Sequence, residues 1–272
     1  MSDFTFARAA SGAAFLFLAS AALASPFASS VASYAPGIGA PVDYQNSAVA
    51  LGEPTRFTGQ SFGFPASVTP FASAFEPDEV VAIGRGGSLV LQFDQPIVND
   101  PNNPYGIDLL IFGNTFFYAD DFSPVAQNLW QPGGVVEVSQ DGVSWTTVPS
   151  VQADGAFPTL GYVDEVNPFG GDAGLVPTDF TKPVNPNFAW QGLGLSDLIA
   201  GYNGSGGGAG VDLSSVNLSS VSFVRLSLPA NATISKIEID AVSDVAAVPS
   251  PGAIGVLALA GVISARRRRD SR

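Results

Sequence analysis

Asp and Asn gather in the middle and at the end of this chain: Asp94, Asn99-Asp100, Asn102, Asp108, Asn114, Asp120-Asp121, Asp141 and Asp240. Hard oxygen donors of this kind suit Ca²⁺, which takes roughly 6–8 of them. No D-x-D-x-D-G loop is present, and the same residues also form turns through Asx hydrogen bonds, as Asn99–Asn103 would beside Pro101 and Pro104. Asp108 and Asp240, with Asn114, form the candidate metal set. Asp108 opens an apolar strand, where a buried carboxylate must find a cation or another partner. Arg225 is the expected partner in a structural ion pair, and Ca²⁺ is the cofactor the alternative would take. Two other carboxylate pairs, Asp120-Asp121 and Asp164-Glu165, raise the chemistry of glycoside hydrolysis. Adjacent residues on a strand point to opposite faces, so neither makes a natural acid and nucleophile. A polysaccharide-processing enzyme is the alternative reading; no motif selects catalytic residues.

Aromatic side chains are the other chemistry. Phe116-Phe117-Tyr118, Phe122, Trp130, Tyr162, Phe169, Phe188, Trp190 and Tyr202 fall in or near predicted loops. Flat rings beside Asp and Asn offer a sugar apolar stacking together with hydroxyl contacts. The competing assignment is that most of them, with Trp145, fill a core.

Composition limits the field further. The 272 residues include no Cys and no His, which removes Ser-His-Asp triads, thiol nucleophiles and His/Cys zinc or haem sites. Acids outnumber bases 24 to 11, and nucleic acid is not an expected partner of such a chain.

The elements that must position these residues are strands. Thirty Gly and 21 Pro with hardly any helical periodicity predict an all-β body of short strands and many turns, a β-sandwich. Ser88–Phe93 puts Leu89, Leu91 and Phe93 on one face, and Asp108–Phe112 is apolar on both. Val135–Ser139 and Trp145–Val148 flank Asp141-Gly142 in a predicted hairpin. Val221–Ser227 and Ile234–Asp240 close the domain, with Ile237 and Ile239 inward and Lys236 and Glu238 outward. Ser196–Ala200 is the candidate helix, stopped by Gly201. Asp154–Gly210 reads as a long irregular loop insertion without a core of its own.

Both ends read as addresses. Arg8, the apolar stretch Gly12–Ala24 and the small-x-small pattern at Ala22 and Ala24 predict a signal peptide over 1–24, with Ser25 as the mature N-terminus. The body spans 25–247. The tail, 248–272, begins with Val248-Pro249-Ser250-Pro251-Gly252, continues in the apolar run Ala253–Ala265 and ends in Arg266-Arg267-Arg268-Arg269. A helix over that run is about 20 Å long, short of a hydrocarbon core of about 30 Å. The arginines should hold this end on the cytoplasmic side. With the ends set aside, only Arg56, Arg85, Lys182, Arg225 and Lys236 oppose every acid except Asp3 and Asp270, so the body carries about −17.

The tail resembles the PEP-CTERM sorting signal of Gram-negative bacteria. That resemblance implies export by the secretion machinery, handling by an exosortase-type membrane protease, and a final place at the cell surface or in an extracellular matrix. Ser250 stands where the family's motif usually has Glu, so both cleavage and retention in the inner membrane stay open. The body is similar to a group of secreted bacterial surface proteins through Ala50–Thr55, Gly86–Ile97, Gly106–Asn114, Val136–Trp145, Phe223–Leu226 and Ile239–Val242. This likeness implies a galactose-binding-like jelly roll and carries no enzyme activity with it. The expected role is non-enzymatic: a structural component, or an adhesin for extracellular polysaccharide.

Overall fold

Alternating apolar and small polar residues, many of them β-branched, build thirteen strands among the residues described by the computed structural model, 25–172 and 174–245. The cleavage-pattern residues Ala22 and Ala24, the motif Val248–Gly252 and the cluster Arg266–Arg269 lie outside the described residues. Within them, no helix is long and apolar enough to cross a membrane.

A five-stranded antiparallel sheet has the order β1 (Ser30–Ala35), β5 (Ser88–Val98), β12 (Ser220–Ser227), β9 (Val135–Ser139), β10 (Thr146–Val148). A four-stranded antiparallel sheet has the order β11 (Ala209–Val211), β6 (Leu109–Gly113), β13 (Lys236–Asp244), β4 (Val81–Gly84). Two short ribbons pair β2 (Phe57–Thr58) with β3 (Ala66–Ser67) and β7 (Phe116–Tyr118) with β8 (Asn128–Trp130). Leu89, Leu91, Val138 and Leu226 from the larger sheet and Leu109, Ile111, Ile83, Ile237 and Ile239 from the smaller one share a single core. All are essentially sealed from solvent, each worth ~1.5–3 kcal/mol of burial. β9 and β10 form the expected hairpin, with Gly142 at φ 72° and the Asp141 carboxylate taking the amides of Val143 and Ser144.

A bulge in β13 sets which of its residues face the core. The register against β6 shifts between Ile239 and Ala241, leaving Asp240 as the extra residue. Ile237 and Ile239 face the core before the bulge and Val242 after it, while Ala241 turns outward to join Leu110, Phe112 and Phe180.

That outer face of the smaller sheet is covered, contrary to the expectation of a long loop without packing of its own. Phe180 from the insertion stands edge-on to Phe112, ring centroids 5.3 Å apart. Leu160, Val184 and Tyr202 form one satellite cluster and Phe71, Phe117, Ala126, Leu195 and Leu198 another. The insertion is sewn to the 53–80 segment: Gly161 N donates to Val68 O at 2.9 Å, and Arg56 Nη1 donates to Gly161 O at 2.6 Å with its guanidinium 4.0 Å from the Phe180 ring centre. Together these segments form a cap. Glu238, expected to face solvent, is buried, with its amide donating to Asp154 of the insertion. The helix, α1 (Leu195–Tyr202), also departs from expectation, because it runs through Gly201 and ends at Asn203 in the left-handed conformation. Gly201 is there for space: a Cβ would run into the Phe188 ring.

Candidate functional site

The β7–β8 ribbon sorts its aromatics by alternation. Phe117 points inward, 1% exposed, against Trp190 at 4.6 Å between ring centres, and its amide donates to Pro70 O at 2.7 Å. Phe116 and Tyr118 therefore take the other face, and Phe116 pairs in register with Trp130. The loop after β7 places Phe122 at φ 58°, a conformation disfavoured for a bulky residue, and leaves its ring 88% exposed. Asp121 staples that loop by accepting from the Ser123 amide and hydroxyl, which lowers its pKa. Phe169 arrives from the cap, edge-on to Phe71.

These rings enclose an open cleft of about 510 Å³, lined by Phe116, Tyr118, Phe122, Trp130 and Phe169 above a floor of Phe71 and Phe117, with Ser123 at its rim. Six residues singled out as loop aromatics thus converge, Phe117 as part of the floor. The others do not: Tyr202 is buried with its hydroxyl on Pro158 O at 2.9 Å, and Phe188 and Trp190 pack on the helix side. Trp145, half-buried, lies under the Arg225 guanidinium at 4.3 Å. A second cleft, about 470 Å³, carries Gln131, Ser150 and Gln152 beside Trp190 and Phe188. Trp130 and Gln131 are consecutive yet line different clefts, so the end of the ribbon separates the two.

The candidate metal set is not brought together. Asp108 and Asn114 flank opposite ends of β6, roughly 20 Å apart at 3.3 Å per residue. Asp240 lies toward the Asn114 end, since Ile239 pairs with Gly113, whereas Asp244 pairs with Leu109. The expected ion pair of Asp108 with Arg225 is also corrected. Arg225 forms a bidentate pair with Glu137 at 2.6 Å, its cross-strand neighbour on β9. Asp108, fully buried, instead accepts from the amides of Asp100 (3.0 Å) and Leu213 (2.9 Å) and from Asn103 Nδ2 (3.0 Å). Asn114 Nδ2 reaches Ala74 O at 3.4 Å.

Asp240 accepts from the Thr55 amide at 2.9 Å and the Thr55 hydroxyl at 3.1 Å, tying the cap to β13. Burial pushes its carboxyl up to about 7, against hydrogen bonds that favour the charged form. Asp154, which the sequence did not mark as a site, does the same job from the insertion. It accepts from Glu238 N at 3.0 Å and the Thr115 hydroxyl at 3.1 Å, and burial raises it to about 7. Gly113 makes room for it, because a Cβ there would sit 2.5 Å from Asp154 Oδ1. Glu79 accepts from the Thr58 hydroxyl and the amides of Phe75 and Glu76, and burial raises its pKa. Neither Asp154 nor Asp240 lines either cleft. Of the paired acids considered for hydrolysis, Asp121, Asp164 and Glu165 are likewise tied into loops: Asp164 holds the amides of Leu175 and Val176, and Glu165 holds those of Val166 and Asn167 and the Ser67 hydroxyl.

No protein-family model matches the chain, and no curated protein matches it either.

Proposed function

We propose that the protein is an exported surface or matrix component whose jelly-roll body holds a carbohydrate chain, without turning it over, in the aromatic cleft of the β7–β8 ribbon. The observation that carries this reading is the convergence of Phe116, Tyr118, Phe122, Trp130 and Phe169 on one open cleft. Pyranose rings present C–H faces that stack on such surfaces, and the Tyr118 phenol, Ser123 hydroxyl and Trp130 indole N–H supply the polar contacts that orient them. Export and sorting rest on the sequence alone: the apolar N-terminus with Ala22 and Ala24, and the tail of Val248–Gly252, an apolar run and Arg266–Arg269. An exosortase-type protease is the partner this tail implies.

The test is binding of the full chain to a panel of soluble polysaccharides by affinity electrophoresis. Trp130 is 46% exposed, so Trp130→Ala should leave the fold intact by circular dichroism while weakening retention at least tenfold. Equal retention by Trp130→Ala and wild type would remove the cleft from the reading, and release of shortened glycan would replace adhesion with catalysis.

A further inference from the structure

At the end of the smaller sheet where β6 begins, a pocket of about 140 Å³ is lined by Pro96, Val98, Asp100, Asn103, Asp244 and Val245. Asn103 is 6% exposed, and its Nδ2 donates to Asp108 Oδ1, which fixes the orientation of the amide. The other end, Oδ1, is a buried acceptor with no partner, the one such side-chain atom among the described residues. Native interiors rarely leave a buried acceptor unmatched, so this atom calls for a donor or a cation.

The surroundings favour a cation. Asp244 lies opposite Leu109 in the β6–β13 register, and the Val245 amide donates to Asp108 O at 2.9 Å, so Asp244 and Asp108 are neighbours. Asp244 is half-buried beside the charge of Asp108. Asp100 contributes a third carboxylate to the same corner, its Oδ1 taking the amide and side chain of Asn102. Among the described residues no Lys or Arg pairs with any of the three: Arg56, Arg225 and Lys236 are matched to Glu53, Glu137 and Glu238.

We propose that this pocket is a Ca²⁺ site in which Asn103 Oδ1 and the carboxylates of Asp100 and Asp244 are ligands and Asp108, behind them, aims the Asn103 amide. Both Asp108 oxygens are taken by amide donors, so it acts by orienting Asn103 and by its charge. The volume admits an ion and a few waters, each claiming about 30 Å³, to complete the shell of roughly 6–8 oxygens. A mixed set of amide and carboxylate oxygens from a turn and a strand end suits Ca²⁺ better than Mg²⁺, which demands near-octahedral geometry. Ca²⁺ would join the 99–108 turn to the end of β13 and leave the aromatic cleft untouched.

The experiment is isothermal titration of the full chain, stripped with EDTA, with Ca²⁺ alone, alongside thermal midpoints with and without the ion. One saturable Ca²⁺ per chain and a midpoint that rises with Ca²⁺ are expected. Asp244→Asn should bind at least tenfold more weakly while its ion-free midpoint stays at or above that of wild type, because a repelling charge is gone. Asp100→Asn gives a second reading at a half-buried turn, with the same loss of affinity. Asp78→Asn, in the separate Glu76–Asp78–Glu79 group, should bind as wild type does. The proposal is overturned by absence of saturable binding to wild type, by undiminished binding in Asp244→Asn and Asp100→Asn, or by loss confined to Asp78→Asn.

Discussion

Asp154 and Asp240 are both wholly buried beneath the cap, each with a carboxyl raised from the ordinary 3.8 to about 7. Between those two values the unfolded chain has shed both protons while the folded protein still holds them. The folded state therefore binds more protons, and stability falls as pH rises, the reverse of ordinary acid denaturation. Each group contributes a slope of ~1.4 kcal/mol per pH unit. Over the three units or so between its two pKa values that is about 4 kcal/mol per carboxylate, fully lost once the pH passes the folded value. Asp240→Asn isolates one of the two. The amide keeps an acceptor for the Thr55 amide and cannot ionise, so near pH 5 the variant should lie within about 2 kcal/mol of wild type, and by pH 8 it should be more stable by up to ~4 kcal/mol. Urea unfolding of the full chain at pH 5, 6, 7 and 8, above the sequence pI of about 4.1, reads both curves. Parallel curves for wild type and Asp240→Asn across that range would refute the reasoning, since the carboxyl would then titrate alike in both states.

The aromatic cleft and the helix make further predictions. Phe122→Gly should cost nothing or stabilise by ~0.5–1 kcal/mol, because Gly accepts φ 58° freely and the lost ring is exposed. The same variant should retain polysaccharide less well, so a thermal melt and affinity electrophoresis on one preparation should move in opposite directions. Gly201→Ala should destabilise by about 1–3 kcal/mol in urea, against the ~1 kcal/mol gain expected from helix propensity, because the new methyl meets Phe188. A stabilised Gly201→Ala would mean that the helix and Phe188 are not packed as described.

The strand pattern was legible because period-two alternation survives in any context: Leu89, Leu91, Ile237 and Ile239 all reach the core. The Asp141-Gly142 turn was legible for a local reason too, its positive φ being written in the residue type. What escaped is what depends on a partner far along the chain. The bulge at Asp240 follows from the register against β6, and Glu238 and Asp240 meet Asp154 and Thr55 from distant segments, so neither the bulge nor their burial could be read from their own strand. The true partner of Arg225 was hidden in the same way, because its neighbour Glu137 is set by the pairing of β12 with β9. The insertion looked coreless because its apolar residues are scattered along the chain: Leu160, Val184 and Tyr202 pack on one another only once it folds back, and others pack where Phe71, Phe112 and Phe117 come to meet them. Of the cleft, the alternation of Phe116, Phe117 and Tyr118 was readable, whereas the arrival of Phe169 from the cap was not.

Four of the positions where this chain breaks local rules fall into two groups that differ in what compensates them. Asp154 and Asp240 are ionisable groups sealed from water, but each is matched by amide and hydroxyl donors from the cap or the adjoining strand. Those donors meet only part of the cost of burial, the remainder showing as the raised pKa of each carboxyl, and the work of both is to fasten the cap. Phe122 and Asn103 have no such internal match: one holds a strained backbone only to expose a ring, and the other buries an acceptor that meets nothing. Sequences are otherwise consistent across levels, so a violation without internal compensation points outward, to something the fold alone does not contain. Phe122 lines the aromatic cleft and Asn103 lines the acidic pocket. Under the two proposals the surfaces would differ in chemistry but share an origin, each a place where local stability is given up for a ligand, a sugar face in one and a hard cation in the other.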